Sequence, residues 1–527
     1  MSGEYDYIIV GAGSAGCVLA NRLSADPGTR VLLLEAGPRD TDPWIHIPLG
    51  YGKLFARRDV NWAYDSEPEP NLNGRRIFSP RGKVLGGSSS INGLVYIRGQ
   101  PEDFDAWEVP GWSHVELLPY FKKAEHQCRG ASAHHGSGGP LGVSDLERHE
   151  LCDAFIASAE SLGIPRNEDF NGDRQEGTGY YQATMRNGRR SSTAVEYLRP
   201  AENRPNLTVE TNALASKIIF EGMRAVAVRF SRNEKSIEVK AKAEILLCGG
   251  SFNSPQLLQL SGVGPRALLE QHGIPVVLDA PDVGEGLQDH FYCRTFWRCN
   301  KPITLNDDMA SLWRQAKIGL DYLLFKRGPL TVSAGHAAAF VRTRPELRRP
   351  DAQLYFINFS TAKRGGVLHP WSGFTISVSQ LQVESRGSVR IQAADPRTPP
   401  AIRYNYLAAE NDRRVMVEGL KVARRIAKAA PLSGYIIKEE FPGPQLRSDE
   451  ELLAALRQSG ESVFHPTSTC RMGTDARSVV DSQLRVRGVE RLRVVDASVI
   501  PAVVSGNTNA AVIAIAEKAA DLIGNTR

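Results

Sequence analysis

Tyr5-Asp6-Tyr7-Ile8-Ile9-Val10 is a short apolar and aromatic run, and Gly11-Ala12-Gly13-Ser14-Ala15-Gly16 follows it directly. Apolar residues then recur at helical spacing through Cys17-Val18-Leu19-Ala20-Asn21-Arg22-Leu23, before a second apolar run, Val31-Leu32-Leu33-Leu34, closes on Glu35. This order predicts a buried strand, a tight turn, a helix and a second buried strand. Leu207, Val209 and Thr211 alternate as a half-buried strand, and Ile218-Ile219-Phe220, Val226-Ala227-Val228 and Ala243 to Leu247 predict more. Farther on the pattern changes character. Phe374, Ile376 and Val378 face one way along a strand, the phase shifts at Leu381 and Val383, and Ser385-Arg386-Gly387-Ser388 reads as a turn. Val389 and Ile391 are then expected on the returning strand, so this region predicts an antiparallel sheet with one covered face. Arg413–Ala429 and Ala510–Leu522 carry helical periodicity.

Placed between strand and helix, the GxGxxG run has a mechanical meaning. Gly11 makes the tight turn, Gly13 lets backbone approach a pyrophosphate, and Gly16 lets helix pack on strand, with Ser14 and Ala15 opening the helix toward the phosphates. Glu35 lies roughly 20 residues on, where a carboxylate accepts from a ribose diol, with Ala36 beside it. A dinucleotide site is expected here. A second glycine-rich stretch, Arg81-Gly82-Lys83-Val84-Leu85-Gly86-Gly87-Ser88-Ser89-Ser90-Ile91-Asn92-Gly93, offers bare N–H groups and hydroxyls to something flat and anionic. Taken alone it would also suit a flexible surface loop.

Together the two segments resemble the opening landmarks of the glucose–methanol–choline (GMC) flavoprotein oxidoreductases. Cys248-Gly249-Gly250-Ser251-Phe252-Asn253-Ser254-Pro255 through Gly264 is similar to the family's second internal motif, and Val283-Gly284-Glu285-Gly286-Leu287-Gln288-Asp289-His290 to the segment after it. Phe464-His465-Pro466 through Gly473, and Val494-Val495-Asp496-Ala497 through Asn509, resemble its C-terminal motifs. The resemblance spans the chain in family order. It implies FAD, with Gly11, Gly13 and Gly16 at the pyrophosphate and Glu35 on the adenosine ribose. It places Arg81, Val84, Gly86, Gly87, Ser88, Asn92, Gly93 and Val95 along the isoalloxazine and ribityl chain. Ala215 would read adenine through its backbone, and Asp496, Ala497 and Thr508 would approach the ribityl–phosphate and pyrimidine region. His465 is expected as general base and Asn507 as a hydrogen-bond partner of the substrate oxygen. Imidazole suits the first task near neutral pH; Asn507, directly before the last helix, would also suit an N-cap. Relatives that bind FAD covalently carry His where this chain has Ile91, so the resemblance implies non-covalent FAD.

The 527 residues are enough for two domains. The resemblance implies an α/β FAD-binding Rossmann-like domain plus an α+β substrate domain with an antiparallel sheet. The divisions drawn are 1–155, 200–298 and 461–527 for the FAD domain, 156–199 for a cap segment and 299–460 for the substrate domain. The net charge of +5 is too modest to argue for nucleic acid, and no stretch approaches the apolar length of a membrane span. Arg75-Arg76 and Arg189-Arg190 read as solvated surface or as charges near a cofactor phosphate. Seven cysteines without CxxC spacing suggest reduced thiols in a cytoplasmic protein, with Cys293 and Cys299 the pair to watch for a disulfide. The expected activity is oxidation of an alcohol CH–OH group by hydride transfer to flavin N5, with oxygen or another electron acceptor completing the cycle. An FAD-retaining lyase and a non-enzymatic flavin-binding protein are the alternatives. Substrate, acceptor and oligomeric state stay open.

Overall fold

Two seven-stranded sheets divide the work of the molecule. The computed structural model describes residues 4–362 and 365–524. In the first sheet Leu207–Glu210, Val31–Leu34 and Tyr5–Val10 lie side by side and parallel, and Tyr5–Val10 pairs on its other edge with the last residues of Lys235–Leu247. Leu492–Val494 continues the parallel order beyond Ile245–Leu247. The strand Lys235–Leu247 has a second life in its first half, which pairs antiparallel with Arg224–Arg232, itself paired with Leu214–Glu221. The parallel strands are buried on both faces, which is why they read as unbroken apolar runs.

Helices Ser14–Leu23 and Asn509–Gly524 pack together in this domain's core. Their contact is pinned by the Arg22 guanidinium, whose Nη2 lies 2.6 Å from Glu517 Oε1, while the Tyr197 hydroxyl donates to the same oxygen at 2.9 Å. Glu517 is buried, and an unpaired carboxylate there would be costly.

The second sheet is antiparallel, in the order Ile436–Phe441, Phe291–Cys299, Gly373–Gln380, Ala352–Ile357, Ala337–Val341, Gly177–Tyr180. Its alternation sorts two faces. Leu354, Phe356, Ile376 and Val378 belong to the core under helix Glu410–Lys428, while Tyr292, Ala338, Phe340 and Tyr355 form a separate cluster on the other side. Gly419 permits the close approach of that helix, since a Cβ there would sit 2.4 Å from Val378 Cγ1.

Several expectations need correction. Gly387–Arg390, which carries Val389, does not return along Gly373–Gln380; it joins Glu285–Leu287 and Ala401–Arg403 in a small sheet of its own. Phe291–Cys299 crosses the division drawn at residue 298 and pairs wholly within the antiparallel sheet, and helix Glu150–Ser161 crosses the one drawn at 155. Cys293 and Cys299 lie on that one strand as free thiols, as are the other five cysteines. No helix among the described residues is long and apolar enough to cross a membrane.

Candidate active site

A cavity of about 810 Å³ runs from the glycine turn of the first sheet to the inner face of the second. At one end, Gly11, Gly13, Ser14 and Ala15 line it at the start of the Ser14–Leu23 helix, whose N-cap is Gly13 with no capping side chain, so its first amides face the cavity. Gly16 lies behind this wall, where a Cβ would stand 1.9 Å from Gly11 O. Glu35 and Ala36 line the next stretch. Glu35 accepts from Ala12 N at 3.0 Å and Gly37 N at 2.9 Å, and burial pushes its carboxyl pKa up to about 7. Ala215 closes this end.

The second glycine-rich stretch is no surface loop. Gly87 (φ +52°) sits so close to the first turn that a Cβ would meet Gly13 Cα at 2.7 Å, and Gly86 N donates to Ala12 O at 2.7 Å. Arg81, Gly87, Ser88, Asn92, Gly93 and Val95 line the cavity along with Ile91, which brings no nucleophile to it. Gly86 and Val84 do not line it; Val84 packs behind Ile91 with Ile45, Leu54 and Val60. Asp496, Ala497 and Thr508 complete the wall. The Asp496 carboxylate is committed to protein donors, Gly250 N at 2.8 Å, Ser254 Oγ at 2.5 Å and Ser498 N at 2.8 Å, so it shapes the wall by holding loops. Ser14 Oγ donates to Asn509 Oδ1 at 2.7 Å, tying the glycine turn to the first residue of the last helix.

His465 and Asn507 meet in this cavity. Asn507 Nδ2 lies 3.1 Å from His465 Nε2. On the far side of the ring, His465 Nδ1 lies 3.0 Å from His290 Nδ1, and His290 Nε2 lies 3.0 Å from Leu381 O. The proton order follows from the chemistry of the last partner. A carbonyl only accepts, so His290 carries its proton on Nε2. Burial lowers the His290 pKa to about 4, keeping the ring neutral and leaving Nδ1 as an acceptor. His465 Nδ1–H therefore donates to it, and the His465 Nε2 lone pair faces Asn507 and the cavity. The Asn507 amide donates there, and its Oδ1 is buried with no partner in the protein. Asn507 thus does not serve as a helix cap.

The backbone aims the ring. Phe464 has φ +73°, an uncommon conformation for an aromatic residue. It is held by three bonds: Ser462 Oγ accepts from Phe464 N at 2.7 Å, Arg81 Nη2 donates to Phe464 O at 2.7 Å, and Asp289 Oδ1 accepts from His465 N at 2.6 Å. Asp289 also receives the hydroxyls of Tyr406 and Ser462.

The GMC oxidoreductase family profile matches residues 5–292 with its N-terminal part and 383–516 with its C-terminal part. The chain belongs to the GMC oxidoreductases. It is 45% identical over 527 residues to an alcohol dehydrogenase [acceptor] of Pseudomonas putida, covering 98% of this chain and 95% of that protein. It is 42% identical to an oxygen-dependent choline dehydrogenase of Pseudomonas putida over 534 residues, covering 99% and 94%. The crystal structure of pyridoxine 4-oxidase from Mesorbium loti superposes with a TM-score of 0.90 at 32% identity, covering 98% of this chain and 99% of that one.

The cofactor of this GMC oxidoreductase is FAD, and the cavity fits it. Uncapped helix amides and glycine backbone meet at one end, Glu35 lines the same end, and the orphaned Asn507 Oδ1 lies at the other. Three residues that shape the site carried no individual signal. His290 and Asp289 sit inside a recognised motif, but their roles depend on packing against residues far along the chain. Arg190 is fully buried rather than solvated. Its Nη1 donates to Asn92 Oδ1 at 2.7 Å and its Nε to Ile45 O at 2.7 Å, so it braces the second glycine-rich stretch from behind. A doublet of arginines gives no hint of which one turns inward.

Proposed function

We propose that this GMC oxidoreductase oxidises an apolar, uncharged alcohol, with His465 as the general base and Asn507 steadying the reacting oxygen. The observation that carries this reading is the His465 Nε2 lone pair, fixed in tautomer by His290 and turned into the cavity beside Asn507. Bound FAD supplies the hydride acceptor, its N5. The alcohol hydroxyl would replace part of the Asn507 contact and give its proton to Nε2 as the carbon loses hydride. Asn507 would then hold the oxygen through its amide while charge develops on it. The helix beginning at Asn509 adds its positive end at the same side.

The choice of an apolar alcohol rests on the wall facing His465, which includes Leu305, Met309, Tyr355, Ile357, Phe359 and Phe464. Among the described residues, the carboxylates lining the cavity are Glu35 and Asp496, both on the cofactor side. Arg294 lies on the substrate side, donating to Thr361 O at 2.9 Å and paired with Glu461 at 3.1 Å. A quaternary ammonium such as choline would meet a guanidinium whose partner Glu461 is already engaged, and no carboxylate among the described residues lining that side. Ile91 supports non-covalent flavin, and seven free cysteines support a cytoplasmic setting.

Anaerobic mixing with a series of primary alcohols tests the proposal. The flavin should bleach, fastest with apolar chains and slowly with choline. A lyase would leave the flavin oxidised while consuming substrate. Acid precipitation should leave the flavin in the supernatant, whereas yellow colour in the pellet would refute the non-covalent attachment.

A further inference from the structure

Helix Leu312–Phe325 turns its larger apolar face outward. At about 100° per residue, Leu312, Trp313, Ala316, Leu320, Leu323 and Leu324 fall within an arc of roughly 120°. This arc faces solvent: Leu312 is 82% exposed, Trp313 79% and Leu323 70%. The opposite side carries the two buried residues of the helix, Ile318 and Tyr322, and the Tyr322 hydroxyl fixes it to the Met185–Arg190 hairpin by donating to Gly188 O at 3.1 Å. The protein's own core thus accounts for one face of the helix and leaves a broader one outside, a larger contiguous patch than singly scattered surface leucines.

The charges along this helix and just past its end are mostly basic, although Arg314 is paired with Asp308 at 3.5 Å. Arg314, Lys317, Lys326 and Arg327 stand against one acid, Asp321, in residues 312–327. Lys317 borders the apolar arc, and Lys326 and Arg327 follow the last turn. An amphipathic helix with Trp and Leu on one side and basic residues at its margin and end has the chemistry of an anionic lipid surface, with apolar side chains entering the headgroup boundary and cations meeting phosphates. With 14 residues the helix is too short to span a bilayer and is suited to lie along one. Its position adds a second observation. Met309 and Ala310, immediately before it, and Leu330, shortly after it, all line the cavity that holds His465.

We propose that the outer face of helix Leu312–Phe325 docks on an anionic lipid bilayer, setting the mouth of the cavity at the membrane surface. The proposal is independent of which alcohol the cavity oxidises. Its test uses flavin-loaded full-length protein and co-sedimentation with vesicles of phosphatidylcholine alone or of equimolar phosphatidylcholine and phosphatidylglycerol. The protein should pellet with the mixed vesicles and largely remain in solution with phosphatidylcholine. The triple substitution Trp313→Ser, Leu323→Ser, Leu324→Ser should retain the flavin spectrum and weaken binding by at least ~10-fold. Lys317→Glu with Arg327→Glu should weaken binding to mixed vesicles by about fivefold or more per site. Wild-type protein that ignores both vesicle types, or a triple variant that pellets like wild type, overturns the proposal. So does a lipid-free wild-type dimer that the triple variant converts to monomer, because the face would then belong to a second copy. Should the triple variant lose its flavin, Trp313→Phe keeps the face apolar and gives an independent reading. Bromine-labelled lipid should quench fluorescence of the wild type more than of Trp313→Phe, and equal quenching overturns the proposal.

Discussion

The two walls of the cavity are built from different materials. The cofactor wall is largely backbone: glycine turns, uncapped helix amides, and carboxylates such as Asp496 whose oxygens are spent holding loops. The substrate wall is made of side chains from alternate positions of an antiparallel sheet and from helix Leu305–Ala310. A backbone wall depends on what a Cβ would displace, so it leaves glycines at fixed spacing. A side-chain wall needs shape and polarity, which many sequences satisfy. The first is strict and local, the second permissive and assembled from afar.

The strongest challenge to this contrast is Gly16→Ala. The added methyl would stand 1.9 Å from Gly11 O, a backbone atom that cannot rotate away. The variant should accumulate poorly or purify without flavin, measured as flavin absorbance per protein; a fully yellow variant would show that the turn tolerates side chains after all.

His465→Ala should keep flavin but lower its anaerobic reduction rate by roughly 10²–10⁴. Near wild-type reduction would remove His465 from the role of base. In the parent protein that rate should fall toward acid, because the neutral ring is the working form.

His290 sharpens the comparison, since it acts without touching the cavity. His290→Ala leaves the His465 Nδ1 proton without its acceptor and frees the tautomer, so flavin reduction should slow by about 5–100-fold, the worth of one buried hydrogen bond. Flavin content and KM should stay near wild type. His290→Gln, which can accept from His465 and donate to Leu381 O, should recover part of the rate. A merely structural histidine would move neither quantity in that pattern.

Acid stability tests both sides of the molecule at once. Burial holds the pKa of His290 and of His336 at about 4, below the 6.5 of an unfolded histidine. A depressed folded pKa means that the unfolded chain binds protons first as pH falls. The stability tied to these rings is therefore complete above about pH 6.5 and is lost progressively toward pH 4. The melting temperature should drop across that window, and less so in His336→Gln; an identical profile would mean that His336 is not buried neutral. The mildest change is Ile357→Ala on the substrate wall, which should leave flavin content intact and shift preference toward bulkier alcohols by roughly 10-fold.

The same contrast explains what the sequence disclosed. The opening strand, the glycine turn and Glu35 were readable because the backbone requirement falls within one short segment. His465 and Asn507 were readable only through family motifs, since their meeting joins residues from separate loops. His290, Asp289 and Arg190 escaped because their roles lie in partners such as Leu381, His465 and Asn92, which no local pattern connects. Gly387–Arg390 was misplaced for a related reason: a polar turn between two apolar runs suggests a hairpin, but Gln259 and Gly284 capture the second run instead. Gln259 donates to Val389 O at 3.0 Å and accepts from Ile391 N at 2.9 Å, and Val389 N donates to Gly284 O at 2.7 Å.

The strand Lys235–Leu247 sits between Tyr5–Val10 and Leu492–Val494, two sheet neighbours that lie far apart along the chain. At ~5–20 residues per second, roughly 25–100 s separate the synthesis of those two neighbours. Throughout that interval one flank of the growing sheet has open N–H and C=O groups, and Glu517 has not yet arrived to meet Arg22. The nascent protein is thus exposed to edge-to-edge association throughout that interval. Its yield in a cell should depend on chaperone supply and translation rate more steeply than the stability of the finished molecule would suggest.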